Sequence, residues 1–139
     1  MRIISGKYKS LNLLYPKKSF VRPTQDRVKE SIFSILHNRV VDAKVLDLFS
    51  GTGGLGFEAL SRGASKVVLV DVSVDYLKKN YDHIIKASDN NLDSEVMIVR
   101  KKVKDYLKSC REKFDIILID PPWDRTDYYD ESLKAISEF

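Results

Sequence analysis

A chain of 139 residues with 43% hydrophobic and 32% charged side chains has the makeup of one soluble globular unit, large enough for one core and too apolar for disorder. No stretch approaches the roughly 18 apolar residues of a membrane helix, and Met1-Arg2-Ile3-Ile4-Ser5-Gly6-Lys7 lacks the unbroken apolar region of a secretory signal, so the cytoplasm is the expected compartment. The lone Cys110 excludes an internal disulfide, and His37 and His83 are too few for a zinc constellation, so no metal is expected.

The net charge of +4 conceals an asymmetry. Residues 1–39 carry nine Lys or Arg against Asp26 and Glu30, a balance of +7, and the remainder of the chain stands at −3. A basic head on a mildly acidic body reads as an arm that docks a polyanion, because Lys and Arg gain affinity by releasing phosphate counterions. A solvated, charge-rich surface is the alternative on charge alone.

In chain order, Gly6-Lys7 between Arg2-Ile3-Ile4 and Leu11-Asn12-Leu13-Leu14 predicts a short hairpin over residues 2–15. Pro16-Lys17-Lys18-Ser19 is a polar connection, and Arg22-Pro23-Thr24 introduces a helix that Thr24 can cap. Val28, Ile32, Phe33, Ile35 and Leu36 fall on its apolar face, leaving Arg27, Lys29 and Glu30 outside or at the margin. From residue 44 short apolar strands alternate with helices: strands over residues 45–49, 66–71, 96–99 and 114–120, and helices over residues 55–62, from a Ser73 cap through Ile85, 103–110 and 128–138. Cys110, at the end of a helical pattern, reads as a small buried apolar residue. Tyr128 and Tyr129, at a helix start, read as packing residues. Alternation of this kind predicts an α/β fold, a mostly parallel sheet joined by right-handed crossovers with helices on both faces. The expected organisation is one domain over residues 1–139, with a basic arm and helix at 1–39 and a core at 40–139.

Gly51-Thr52-Gly53-Gly54-Leu55-Gly56 lies between the first strand and its helix and satisfies the Gly-x-Gly-x-x-Gly pattern of nucleotide-binding folds. Asp71 closes the next strand, from which a carboxylate can accept hydrogen bonds from ribose hydroxyls. An adenosine-containing cofactor follows. Asp47 narrows the choice, because a carboxylate at the first strand's end repels a diphosphate and favours a cationic group. S-adenosylmethionine carries a sulfonium and an ammonium and no phosphate, whereas a nicotinamide cofactor does not suit this position. Asp47 is alternatively a buried acid bracing the glycine loop.

Asp120-Pro121-Pro122-Trp123 directly follows the apolar run 114–119. The carboxylate only accepts hydrogen bonds, the prolines fix two φ angles, and the indole offers a stacking face suited to a nucleobase. The tetrapeptide therefore reads as a holder for a flat base with an amino group, Trp123 being alternatively a plug under the last helix.

Asp47-x-Phe49-x-Gly51-x-Gly53 resembles the first motif of class I S-adenosylmethionine-dependent methyltransferases, which have a Rossmann-like fold, and Asp120-Pro121-Pro122-Trp123 resembles the tetrapeptide of enzymes that methylate exocyclic amines of bases. Arg2-Ile3-Ile4-Ser5-Gly6-Lys7-Tyr8, the run 22–33 beginning Arg22-Pro23-Thr24-Gln25-Asp26-Arg27, and the run 46–56 are similar to the bacterial methyltransferases of guanine N2 in small-subunit (16S) ribosomal RNA, in the same order and over almost the whole chain. The resemblance implies S-adenosylmethionine as cofactor, held by Asp47, Phe49, Ser50, Gly51, Thr52, Gly53, Asp71 and Val103. It implies ribosomal RNA or an assembling small subunit as partner, met by Arg2, Lys7, Lys17, Arg22, Thr24 and Arg27. Catalysis falls to Asp120, Pro121, Pro122 and Trp123: Asp120 and the Pro121 carbonyl each accept an N–H of the guanine amine, and Trp123 stacks on the extruded base. The chain reads Lys101-Lys102-Val103 where many such enzymes have an acid, and Ser10 where a glycine is usual. It also stops at Phe139, where the fold normally continues into further strands. A sheet truncated at that edge predicts that the run 116–119 is covered by a partner chain, including by self-association, or else that the protein is poorly stable and aggregates. A DNA adenine-N6 methyltransferase and a catalytically inactive, truncated RNA-binding remnant are the alternative functions.

Overall fold

Period-two alternation within apolar runs sends successive side chains to opposite faces of a sheet. Val45, Val67, Leu69 and Leu118 accordingly enter one core, and Leu46, Leu48, Val68 and Val70 enter another. A computed structural model describes residues 1–16, 26–121 and 125–137. Its sheet comprises β1 (Lys44–Leu48), β2 (Lys66–Asp71), β3 (Glu95–Arg100) and β4 (Ile116–Ile119), all parallel and ordered β3-β2-β1-β4. Helices α1 (Asp26–Leu36), α2 (Gly54–Ser61) and α3 (Asp75–Ala87) cover the first face, and α4 (Val103–Ser109) and α5 (Thr126–Ser137) cover the second. The expected doubly wound architecture is present, with β2 at its expected bounds. The chain walks from β1 to β3 in one direction and returns to set β4 on the other side of β1. By the general rule for open α/β sheets, such a reversal marks the carboxyl ends of β1 and β4 as the crevice where a ligand binds.

Helix α2 is buried at every position, Gly54 through Ser61. The sheet lies beneath it, and residues 1–8 and α1 lie over it. Two polar side chains, Glu58 and Ser61, make the upper contact. Glu58 accepts the N–H groups of Ile4 (2.8 Å) and Ser5 (3.1 Å), while Ser61 Oγ accepts the Tyr8 N–H (2.9 Å) and donates to the Ser5 carbonyl (2.6 Å).

The N-terminal hairpin is looser than expected, a single antiparallel bridge between Arg2 and Asn12 supported by the Ile3 N–H on the Leu11 carbonyl and the Ser10 N–H on the Ile3 carbonyl. Its polar contacts run to α2 as well as between its two segments, where the Leu13 N–H also donates to the Met1 carbonyl at 2.8 Å. The expected faces of α1 also need correction. Lys29 and Phe33 are its buried residues, and Val28 and Ile35 are exposed. Lys29 is drawn in because its Nζ donates to the Arg2 carbonyl (2.6 Å) and lies 3.5 Å from Glu58. Burial lowers its pKa, against the opposing pull of Glu58 and Asp26. Ser73 caps nothing: α3 begins after Val74, and the Ser73 N–H is taken by Asp71 Oδ1 (3.1 Å). Thr24, the expected cap of α1, lies outside the described residues. Cys110 is half-buried against the second core, its thiol donating to the Tyr106 hydroxyl. Strand β4 is shorter than expected because Asp115 turns aside to bond Lys44 through both its N–H (to the carbonyl) and its carboxylate (from the N–H), each at 2.9 Å. It forms one edge of the sheet, with Leu118 buried and its other three residues half-buried. No helix of the described residues is long and apolar enough to cross a membrane.

Candidate functional site

The loop from β1 to α2 is built on three left-handed residues at alternate positions, Phe49 (φ +56°), Gly51 (φ +59°) and Gly53 (φ +94°). Each reverses the backbone so that the chain turns tightly over the strand ends. Gly53 admits no side chain, since a Cβ there would sit 2.3 Å from the Phe57 ring. At Gly51 the Cβ direction is open, with nothing within 4 Å. Non-glycine Phe49 is held in the same region by a stacked contact with Tyr128 of α5, centroids 5.6 Å apart and planes at 13°. The Arg125 guanidinium lies over the Tyr128 ring, 3.7 Å from its centroid. Tyr128 thus packs, as expected, but on the loop that follows β1, a partner of which helical periodicity carries no signal.

Three carboxyl groups gather around the crevice. Asp47, on β1, is 1% exposed and accepts the Gly56 N–H through Oδ2 at 2.9 Å. Gly56 must be glycine, because a Cβ there would lie 2.6 Å from Leu69 and 2.9 Å from that oxygen. Burial pushes the Asp47 carboxyl up to about 8, the Gly56 N–H opposes the shift, and the charges of Asp120 and Asp71 add to it. Asp47 therefore braces the glycine loop from beneath, and near neutral pH it largely holds its proton. Asp71, at the end of β2, accepts the Gly51 N–H through Oδ2 at 2.8 Å and the Ser73 N–H through Oδ1. Asp120, just past β4, is exposed, and Pro121 beside it is half-buried.

The remaining expected residues distribute as follows. Ser50 is buried, its N–H and hydroxyl both donating to the Val70 carbonyl at 3.1 Å, which ties the loop to β2. Thr52 offers its carbonyl to Asn80 at 2.8 Å, a partner that sequence reading missed. Val103 opens α4 and is buried in the second core with Leu48, Val70 and Val99. Pro122 and Trp123 lie outside the described residues, as do Lys17, Arg22 and Thr24. Of the other basic residues, Arg2 is exposed beside Asp26 (3.4 Å), Lys7 is exposed 4.0 Å from Asp93, and Arg27 is exposed on α1. The crevice thus brings together Asp47, the glycine loop, Asp71 and Asp120, and Arg2, Lys7 and Arg27 remain on the surface of the N-terminal part.

A parallel sheet in the order β3-β2-β1-β4 with a glycine loop leaving its central strand is the Rossmann-like architecture of class I methyltransferases. The Escherichia coli protein yhhF has the same fold, with a TM-score of 0.79 and 30% identity over 99% of this chain and 72% of that one. The chain belongs to the family described as Conserved hypothetical protein 95, whose profile matches residues 1–139. Relatives include the ribosomal RNA small subunit methyltransferase D of Haemophilus influenzae, 34% identical over 128 residues, and that of Escherichia coli K12, 33% identical over 125. The matches take in 88% and 90% of this chain, which spans 64% and 61% of the length of those two proteins.

Proposed function

We propose that this chain binds S-adenosylmethionine at the carboxyl ends of β1 and β2 and directs methylation of the exocyclic N2 amine of a guanine in small-subunit (16S) ribosomal RNA. The convergence of the glycine loop with Asp47, Asp71 and Asp120 at the sheet's reversal point carries the reading. Asp47 largely holds its proton, so the charges that suit a cofactor with sulfonium and ammonium groups and oppose a diphosphate are those of its neighbours Asp120 and Asp71. The open space at Gly51 leaves room for a ligand against the backbone. Asp71, with lone pairs beyond its two backbone bonds, would receive ribose hydroxyls, and Phe49, Ser50, Thr52, Gly53 and Val103 would shape the surrounding cleft. Bound there, S-adenosylmethionine supplies an electrophilic methyl group.

The chain's own part is positioning. The Asp120 carboxylate and the Pro121 carbonyl accept the two N–H groups of the target amine, which turns its lone pair away from the ring. Alignment of this kind is worth roughly 7–11 kcal/mol in favourable cases. Pro122 would restrict the backbone by its ring, and Trp123 would stack on the extruded base, at about 1–3 kcal/mol per stacked base. Lys17, Arg22, Thr24, Arg2, Lys7 and Arg27 hold RNA phosphates, and the basic balance of residues 1–39 supports that role. We further propose one domain over residues 1–139, action in the cytoplasm, and self-association through the β4 edge, whose backbone is unpaired by any strand of the described residues. Calorimetry with S-adenosylhomocysteine tests the cofactor reading: saturable one-to-one binding, weakened at least about tenfold in Asp71→Ala, is expected. A folded sample that binds none favours the RNA-binding remnant.

A further inference from the structure

The N-terminal arm and the glycine loop meet at one buried amide. Asn80, on α3, is 0% exposed. Its Oδ1 accepts the Leu14 N–H at 2.7 Å, while Nδ2 donates to the Leu14 carbonyl at 3.0 Å and to the Thr52 carbonyl at 2.8 Å. The first two bonds grip Leu14 as a neighbouring strand would. The third reaches the residue between Gly51 and Gly53, the two left-handed glycines of the loop. An amide buried without partners is destabilising, so one side-chain rotamer has to satisfy both segments together. Leu14 itself is 41% exposed, and two residues separate it from the Lys17-Lys18 pair of the arm. The contacts of Glu58 and Ser61 fasten residues 4–8 to α2, but among the described residues Asn80 alone joins the arm to the loop by side-chain hydrogen bonds.

We propose that Asn80 is a positioning residue that couples docking of a polyanionic RNA strand on the arm to the conformation of the glycine loop, so that RNA and adenosine cofactor bind with positive cooperativity. The proposal rests on the function put forward above. A strand that fixes the arm fixes Leu14, Leu14 fixes the Asn80 amide, and the amide holds the Thr52 carbonyl, so the second ligand meets a loop already ordered. Coupling of this kind is reciprocal, each ligand raising the other's affinity by the same factor.

The test is titration of the full chain with protein-free, unmethylated small-subunit ribosomal RNA, with and without saturating S-adenosylhomocysteine, and the reverse titration. In the parent each ligand is expected to tighten the other at least about fivefold. Asn80→Asp keeps the acceptor for the Leu14 N–H but removes both donated protons, and it brings the coupling to within about twofold of unity. Leu14→Pro deletes the N–H that Asn80 Oδ1 accepts and leaves the Asn80 amide itself unchanged, at a residue that is 41% exposed, so it serves if a buried charge at position 80 prevents folding. It is expected to bind S-adenosylhomocysteine alone as the parent does, with the coupling reduced at least about twofold, since Nδ2 still reaches the Leu14 carbonyl. Independent binding in the parent, or full coupling in Leu14→Pro, overturns the inference and leaves the proposed function standing. A parent that binds neither ligand overturns both.

Discussion

Asp47 Oδ2 and the Gly56 N–H, 2.9 Å apart, join the middle of the sheet to the first turn of α2 through a carboxyl group almost wholly shut off from water. A carboxyl whose folded pKa lies above its unfolded value binds its proton more tightly in the folded state. Asp47 therefore favours folding at low pH, and that contribution declines as pH rises from its ordinary 3.8 towards about 8. Within that window the loss runs at about 1.4 kcal/mol per pH unit. Asp47→Asn removes the titration. Denaturant unfolding at pH 5 and pH 8 is expected to show the parent losing more stability than the variant, with the difference between the two proteins shifting in the variant's favour at the higher pH.

Two glycines of one loop are expected to respond differently. Gly53→Ala forces a Cβ into the Phe57 ring at a φ of +94°, whereas Gly51→Ala meets open space at +59°. The first substitution should cost more than the roughly 1–3 kcal/mol of backbone strain alone, and the second about 1 kcal/mol. Gly51→Ala should nevertheless weaken S-adenosylhomocysteine, because the new methyl group projects into the space assigned to the ligand. Thermal unfolding and calorimetry on the two variants separate these effects.

Glu58 is buried with Lys29 and accepts from Arg62 Nε at 2.8 Å as well as from two backbone N–H groups. Removing one member of such a network leaves an uncompensated charge and costs about 3–5 kcal/mol. Glu58→Ala should therefore unfold at much lower denaturant concentration than the parent. Glu58→Ala combined with Lys29→Met should recover part of the loss, since the stranded ammonium is gone.

The strands were legible because buried parallel strands are continuous apolar runs, as residues 66–71 are, and the glycine loop was legible because its left-handed turns demand glycine. Lys29 was not. A lysine on an amphipathic helix reads as solvent-facing, and only the tertiary approach of Glu58 and the Arg2 carbonyl draws it in. Asn80 was equally silent, since its three bonds reach Leu14 and Thr52, 66 and 28 residues away. Asp47 stood out in the sequence as a strand-end acid, but its charge state did not: burial and two neighbouring carboxylates are properties of the folded site.

Asp120→Ala is expected to leave S-adenosylhomocysteine affinity within about twofold of the parent while lowering methyl transfer by at least about a hundredfold, the usual scale for losing a group that acts on the reacting centre. Calorimetry and a radiolabelled transfer assay on the same preparations supply the two readings.

The most direct measurement is transfer of labelled methyl groups from S-adenosylmethionine to unmethylated small ribosomal subunits, with the RNA digested and the labelled nucleoside identified. N2-methylguanosine, formed by the parent and not by Asp120→Ala, is the predicted result. Label on another nucleoside, or no transfer by a folded sample that binds S-adenosylhomocysteine, would contradict it.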